Sequence, residues 1–261
     1  MKKVLFVTSL ALVGFLFPGA GMARAEGPCS GLPSQADLRL ALSEAQAQAD
    51  KNGGFGFHMW ATVVNRDGVV CAVAFTGVNR GDQWPGSRVI SAQKANTANA
   101  FSLPGFALST ANLYTAVQPG GSLFGLQESN PVSTDVAYGG SPGNYGQPND
   151  PMVGGRIGGV NVFGGGLALY NAAGVLVGAL GVSGDSSCAD HNIAWRTRNN
   201  LRLDYVPSGV SGDASRPDNI VYDITPQLGQ QEGVSDSGWG HPQCSADATA
   251  IASGLPAKRT H

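Results

Sequence analysis

The stretch from Phe163 to Arg198, FGGGLALYNAAGVLVGALGVSGDSSCADHNIAWRTR, constrains this chain more than any other. Leu167, Leu169 and Tyr170 give apolar bulk to one strand, and Asn171-Ala172-Ala173-Gly174 supplies a reversal with glycine where a positive φ is needed. Val175 to Val182 is almost wholly apolar, β-branched or small, which suits a strand covered on both faces. Gly181 and Gly184 bracket Val182-Ser183, where the chain must turn out of the sheet. A helix follows. Ser187 with Asp190 three residues on has the capping-box form, the carboxylate lies in the favourable first turn, and Arg196 and Arg198 fall near the helix end.

The first residues stand apart from any fold. Lys2 and Lys3, the apolar run Val4 to Phe17 and the small-residue site Ala23-Arg24-Ala25 form an export signal over 1–25 rather than a membrane anchor, so a periplasmic or extracellular location is expected. Its removal takes three of the 16 basic residues and none of the 18 acidic ones. A net charge of about −5 disfavours nucleic acid or an anionic membrane as partner. Cys29, Cys71, Cys188 and Cys244 all lie beyond the signal, and an oxidising compartment makes disulfides their expected state. Of the three possible pairings we expect Cys188 with Cys244, stapling a tail onto the central helix, and Cys29 with Cys71, pinning the N-terminus to a strand. One pair as buried thiols is the alternative.

Taken in order, Ser34 caps a helix with Asp37 at its third position and Leu38, Leu42 and Ala45 as its apolar stripe, ending at Asn52-Gly53-Gly54. Phe57 to Val64 and Val69 to Phe75 flank the hairpin turn Asn65-Arg66-Asp67-Gly68. After a loop bearing Arg80, Asp82 and Trp84, an alanine-rich helix is predicted from Ser87 to about Ser102, able to lie close to a sheet. Ser109 to Val117 reads as a short helix and Leu123 to Leu126 as a short strand. Between Gly139 and Gly166 there are 11 glycines in 28 residues, so 139–162 is expected to be an irregular, mobile surface insertion, with a lid as the other reading. Asp218 to Ile224 is a last strand, and 256–261 is expected to fray.

Several segments together resemble the GlcG/HbpS-like haem-binding domains: Asn65-Arg66-Asp67-Gly68, Lys94-Ala95-Asn96-Thr97-Ala98-Asn99-Ala100-Phe101, Gln118-Pro119-Gly120-Gly121, and Gly164-Gly165-Gly166 leading to Val177-Gly178-Ala179-Leu180-Gly181-Val182-Ser183-Gly184, then Asp190 and Ile193-Ala194. The likeness covers most of 34–200. It implies a mixed α/β fold of profilin-like type, an antiparallel sheet of about five strands flanked by helices. It also implies a small ligand, most often haem, and homo-oligomers. On this division the domain spans 26–206, and 207–261 is a C-terminal extension. Cys188, His191 and the glycine-rich insertion depart from the family pattern.

Haem needs an apolar slot, an axial ligand and often a basic group near its propionates. His191, one helical turn before Trp195, is the first iron-ligand candidate and His58 the second; each has a structural alternative as a hydrogen-bonded histidine. Lys94, Arg196 and Arg198 are candidates for the propionates, with an ion pair or a solvated face as the alternative. Cys188, His191, His241 and Cys244 also offer the donor set of a structural zinc site, which competes with a disulfide for the same sulfurs. GVSG lacks the full G-x-S-x-G pattern, and Gly164-Gly165-Gly166 precedes a strand rather than a helix, so neither hydrolysis nor nucleotide binding is indicated. The expected function is an exported, non-catalytic haem-binding protein. The alternatives are an enzyme of haem breakdown or small-molecule metabolism using the same pocket, and a structural module without ligand.

Overall fold

The computed structural model describes residues 27–48, 51–228 and 230–260. The expected export signal lies outside them. Helix α1 (Gln35–Gln46) leads to strands β1 (Trp60–Asn65) and β2 (Val70–Phe75) and helix α2 (Ser87–Ala100). Two short 3-10 turns, a five-residue helix α3 (Thr134–Tyr138) and a long irregular segment precede β3 (Gly166–Tyr170), β4 (Leu176–Ser183) and α4 (Ser187–Asn200). The tail holds β5 (Ile224–Gln227), β6 (Gln230–Ser235) and α5 (Ala248–Ser253).

The main sheet is antiparallel, four strands in the order β2-β1-β4-β3, and β5 and β6 form a separate pair. This is the mixed α/β fold that the sequence implies, with four strands in the main sheet. The pleat sorts the strands into two cores. Ala61, Val63, Ala72, Ala74, Leu167, Leu169, Leu180 and Val182 face α1 and α4, while Trp60, Val64, Val73, Phe75 and Ala179 face α2 and the segment after α3. The alanine-rich α2 does lie close to the sheet: a Cβ placed on Gly181 would stand 1.9 Å from the Ser91 carbonyl oxygen.

Helix α1 has the expected cap, with Ser34 and Asp37 exchanging both capping-box bonds. In α4 the cap is Ser186 rather than Ser187, which frees the Asp190 carboxylate for other partners. Strand β1 begins at Trp60, so Phe57 and His58 precede it. Leu123 to Leu126 forms turns, and 218–223 is not a strand: its β-type pairing is limited to an isolated bridge of Val221 to Gly240.

Two expectations about loops are corrected. The glycine-rich 139–162 segment is irregular but not a surface appendage: Met152 and Ile157 are fully buried against the α2 face, and Arg88 forms a buried ion pair with Asp150. Its glycines permit the tight turns, and its few large side chains anchor them. Residues 256–260 are likewise held rather than frayed. Trp195 donates to the Pro256 carbonyl, Lys258 to that of Val206, and Arg259 reaches Asp204. Two disulfides, Cys29–Cys71 and Cys188–Cys244, join the pairs anticipated. Among the described residues no helix is long and apolar enough to cross a membrane.

Candidate functional site

The corner where β4 turns into α4 gathers groups from distant parts of the chain. Gly184 adopts a φ of 156° with no room for a side chain, because a Cβ there would lie 2.5 Å from the His58 carbonyl oxygen. Asp185 then turns back, its carboxylate accepting the backbone N–H groups of Phe55 at 2.9 Å, Phe57 at 3.1 Å and Ser186 at 2.6 Å. That grip holds Phe55 and Phe57 at the surface, where their rings stack at 5.3 Å and Phe57 meets Trp84 edge-on at 5.2 Å. Such rings would ordinarily be buried; Phe55 is 70%, Phe57 42% and Trp84 52% exposed.

Beside these rings a cleft of about 270 Å³ opens between Trp84 and Phe163. Its lining includes Lys94 and Asp190, with Ser183, Asp185 and Ser187 supplying further polar groups. Lys94 Nζ donates to Asp190 Oδ2 at 2.7 Å and to the Val182 carbonyl at 3.2 Å, and Asp190 Oδ1 accepts the Asp185 N–H at 2.8 Å. Burial pushes the Asp190 carboxyl up to about 6, against the pull of the Lys94 ammonium and the Asp185 N–H.

The sequence candidates divide around this cleft. Lys94 lines it. His58 follows Phe57 and is half-buried; its Nδ1 lies 3.1 Å from the Thr76 hydroxyl, and its Nε2 has no hydrogen-bond partner among the described residues. His191 is fully buried and borders none of the cavities described here. Its Nε2 is engaged by Asn219 and the Ile220 N–H, its Nδ1 has no partner, and burial pushes its imidazole down to about 4. Its ring lies beside that of Trp195, one helical turn on, at 5.9 Å between centroids and tilted by 38°. Arg198 is fully buried in a two-pronged pair with Asp218 at 2.6 and 2.9 Å. Arg196 donates to Asn52 and the Lys51 carbonyl. Of the proposed cation partners, only Lys94 therefore reaches the cleft.

Trp84 and Phe163 were not among the sequence candidates. Their signal was present: large aromatic residues set in Gly- and Pro-rich connections, where a buried role is hard to satisfy. On the far side of Ser187 the second disulfide abuts a histidine. His241 Nδ1 donates to the Pro242 carbonyl at 2.7 Å, which leaves Nε2 to accept from the Ser187 hydroxyl at 3.2 Å.

Residues 34–198 match the model of a family described as haem-degrading protein, HbpS-like. Solved structures similar to the chain include a PduOC:heme complex, at 24% identity, 64% of this chain, 91% of the other and a TM-score of 0.44. Klebsiella pneumoniae protein ORFY matches at 22% identity, 65%, 90% and 0.43. A double mutant of Streptomyces reticuli HbpS matches at 18% identity, 74%, 99% and 0.40. No curated protein matches the chain.

Proposed function

Because the chain belongs to the HbpS-like family of haem-degrading proteins, we propose that it binds haem, or a similar flat tetrapyrrole, at the cleft between Trp84 and Phe163. The observation that carries this reading is the exposed aromatic surface of Phe55, Phe57 and Trp84 continuing into a cleft with a lysine in its lining. The donor set fits the group. Aromatic faces suit a flat macrocycle, Lys94 brings a cation to the lining but keeps it paired with Asp190, and His58, next to Phe57 in the chain, offers an imidazole nitrogen with no hydrogen-bond partner among the described residues. His191 is the weaker iron ligand, since its ring is enclosed and its Nε2 already engaged. Arg198, tied to Asp218, plays no part at the cleft in this reading.

When bound, haem supplies iron-centred oxygen or electron-transfer chemistry. In this reading the chain's own residues hold its edge and exclude water from one face. Two disulfides support an exported site of action, and a homo-oligomer is part of the same proposal.

Haem titration of the full chain tests this reading. A saturable Soret shift is expected in the wild type, weakened at least about tenfold in Trp84→Ala and displaced in position in His58→Ala. No shift in the wild type, or a spectrum unchanged in both variants, rejects the site. A Soret band that decays after a reductant is added in air would establish turnover in place of binding alone. Mass measurement in solution reads the oligomer.

A further inference from the structure

The second disulfide is built into more than a staple. The sulfur atoms of Cys188 and Cys244 and a ring nitrogen of His241 all lie within 4.8 Å of one another. Two thiolates and an imidazole are a ligand set selective for zinc and similar divalent ions. Because Nδ1 of His241 donates to the Pro242 carbonyl, the Nε2 lone pair is the one left on the Ser187 side. That carbonyl contact is also the kind of outer partner that orients a metal-bound imidazole. The backbone N–H of Cys188, in the first turn of the 14-residue α4, points at Cys244 Sγ at 3.2 Å. A helix N-terminus and a directed N–H both favour a thiolate there once the bond is broken.

We propose that Cys188, Cys244 and His241 form a redox-gated site for a zinc-like divalent cation, closed while the disulfide stands and opened by its reduction. A dithiol reductant delivers two electrons and two protons, cleaving the S–S bond into two thiols and itself becoming a disulfide. The cation then displaces the two thiol protons and takes both sulfurs and His241 Nε2. Tetrahedral ligation at about 2.3 Å separates the two sulfurs to roughly 3.8 Å, a distance reached by side-chain rotation. Cys244 is exposed, so the bond is open to a reductant. Ser187 Oγ, 3.2 Å from Nε2 and 3.6 Å from Cys244 Sγ, marks the side of the fourth position, which a water fills; Ser187 also lines the cleft.

Co2+ is the probe, added to the full chain before and after treatment with a phosphine, which cleaves the disulfide by taking the oxygen of a water. A single equivalent is expected to bind only after reduction, with a sulfur-to-cobalt charge-transfer band that reoxidation abolishes. Cys244→Ser should remove the band and His241→Ala should weaken binding at least about tenfold. The double variant Cys29→Ser, Cys71→Ser should keep the band. Circular dichroism at each step reads the fold. No band in the reduced chain, folded or not, overturns the proposal. So does a band that survives Cys244→Ser, or one that disappears when only Cys29 and Cys71 are replaced.

Discussion

Lys94 and Asp190 belong to helices that cover opposite faces of the sheet, yet their side chains meet at 2.7 Å around its end, both almost fully buried. Lys94 also holds the Val182 carbonyl and Asp190 holds the Asp185 N–H, so the pair ties both helices to the corner that shapes the cleft. Removing one partner leaves the other charge without compensation. Lys94→Met is expected to destabilise the chain by about 3–5 kcal/mol in chemical denaturation. Adding Asp190→Leu should restore much of that loss, as expected when the penalty comes from an orphaned charge. A double variant no more stable than Lys94→Met would assign the effect to packing.

Gly181 is the point of closest approach between α2 and the sheet. An added methyl would lie 1.9 Å from the Ser91 carbonyl and 2.5 Å from the Ala95 nitrogen, both backbone atoms that no side-chain rotation can clear. Gly181→Ala should therefore cost about 3 kcal/mol, seen as a lower denaturation midpoint with little change in m. Gly125, around which an added Cβ meets nothing, has a φ of 86° and serves as the comparison for backbone strain alone. Its alanine variant should lose about 1 kcal/mol.

Much of this frame was legible because it is written in neighbouring residues. The Ser34–Asp37 capping box, the turn at Asn65 to Gly68 and the hairpin before α4 each need only a few adjacent side chains to specify them. The α4 cap slipped by one because Ser186 and Ser187 are equally able to accept the third amide. The Lys94–Asp190 pair was not legible, since 96 residues separate its members and only the closed sheet brings them together. The packed insertion was hidden for a related reason: Met152 and Ile157 are isolated among glycines and show no period. At the site, Lys94 was a candidate for a propionate, while its buried pairing with Asp190 was not visible in the sequence. The enclosure of His191 depends on the tail residues Asn219 and Ile220, whose docking no local pattern announced.

The tail is held to α4 by Cys188–Cys244, a link spanning 56 residues. Closing a loop of that length in the unfolded chain is worth about 4 kcal/mol on the chain-entropy model. Cys244→Ser should lower stability by that order, and by more than substitution at an exposed serine such as Ser237. Thermal unfolding with the first disulfide intact checks it. A loss under about 1 kcal/mol would mean that contacts such as Arg198–Asp218 already confine the tail in the unfolded ensemble.

His191 carries the acid-side prediction. Burial holds its imidazole down at about 4, against 6.5 for the free side chain. Between those values the unfolded chain binds more protons than the folded one, so this group's stabilising contribution is complete above pH 6.5 and is lost as pH falls through 4. The full difference is about 3 kcal/mol. His241, also held down at about 4 by burial, acts in the same direction. Asp190 acts in the opposite one: raised from 3.8 to about 6, its contribution is present below 3.8 and lost as pH rises through 6. The wild-type profile is thus a partial cancellation, and the histidine component shows only by difference. His191→Gln removes the titration, so the gap in unfolding free energy between wild type and variant should shrink by about 3 kcal/mol from pH 7 to pH 4. Urea denaturation at three pH values across that window measures it, and a gap constant with pH would show that the His191 imidazole is not held neutral by burial.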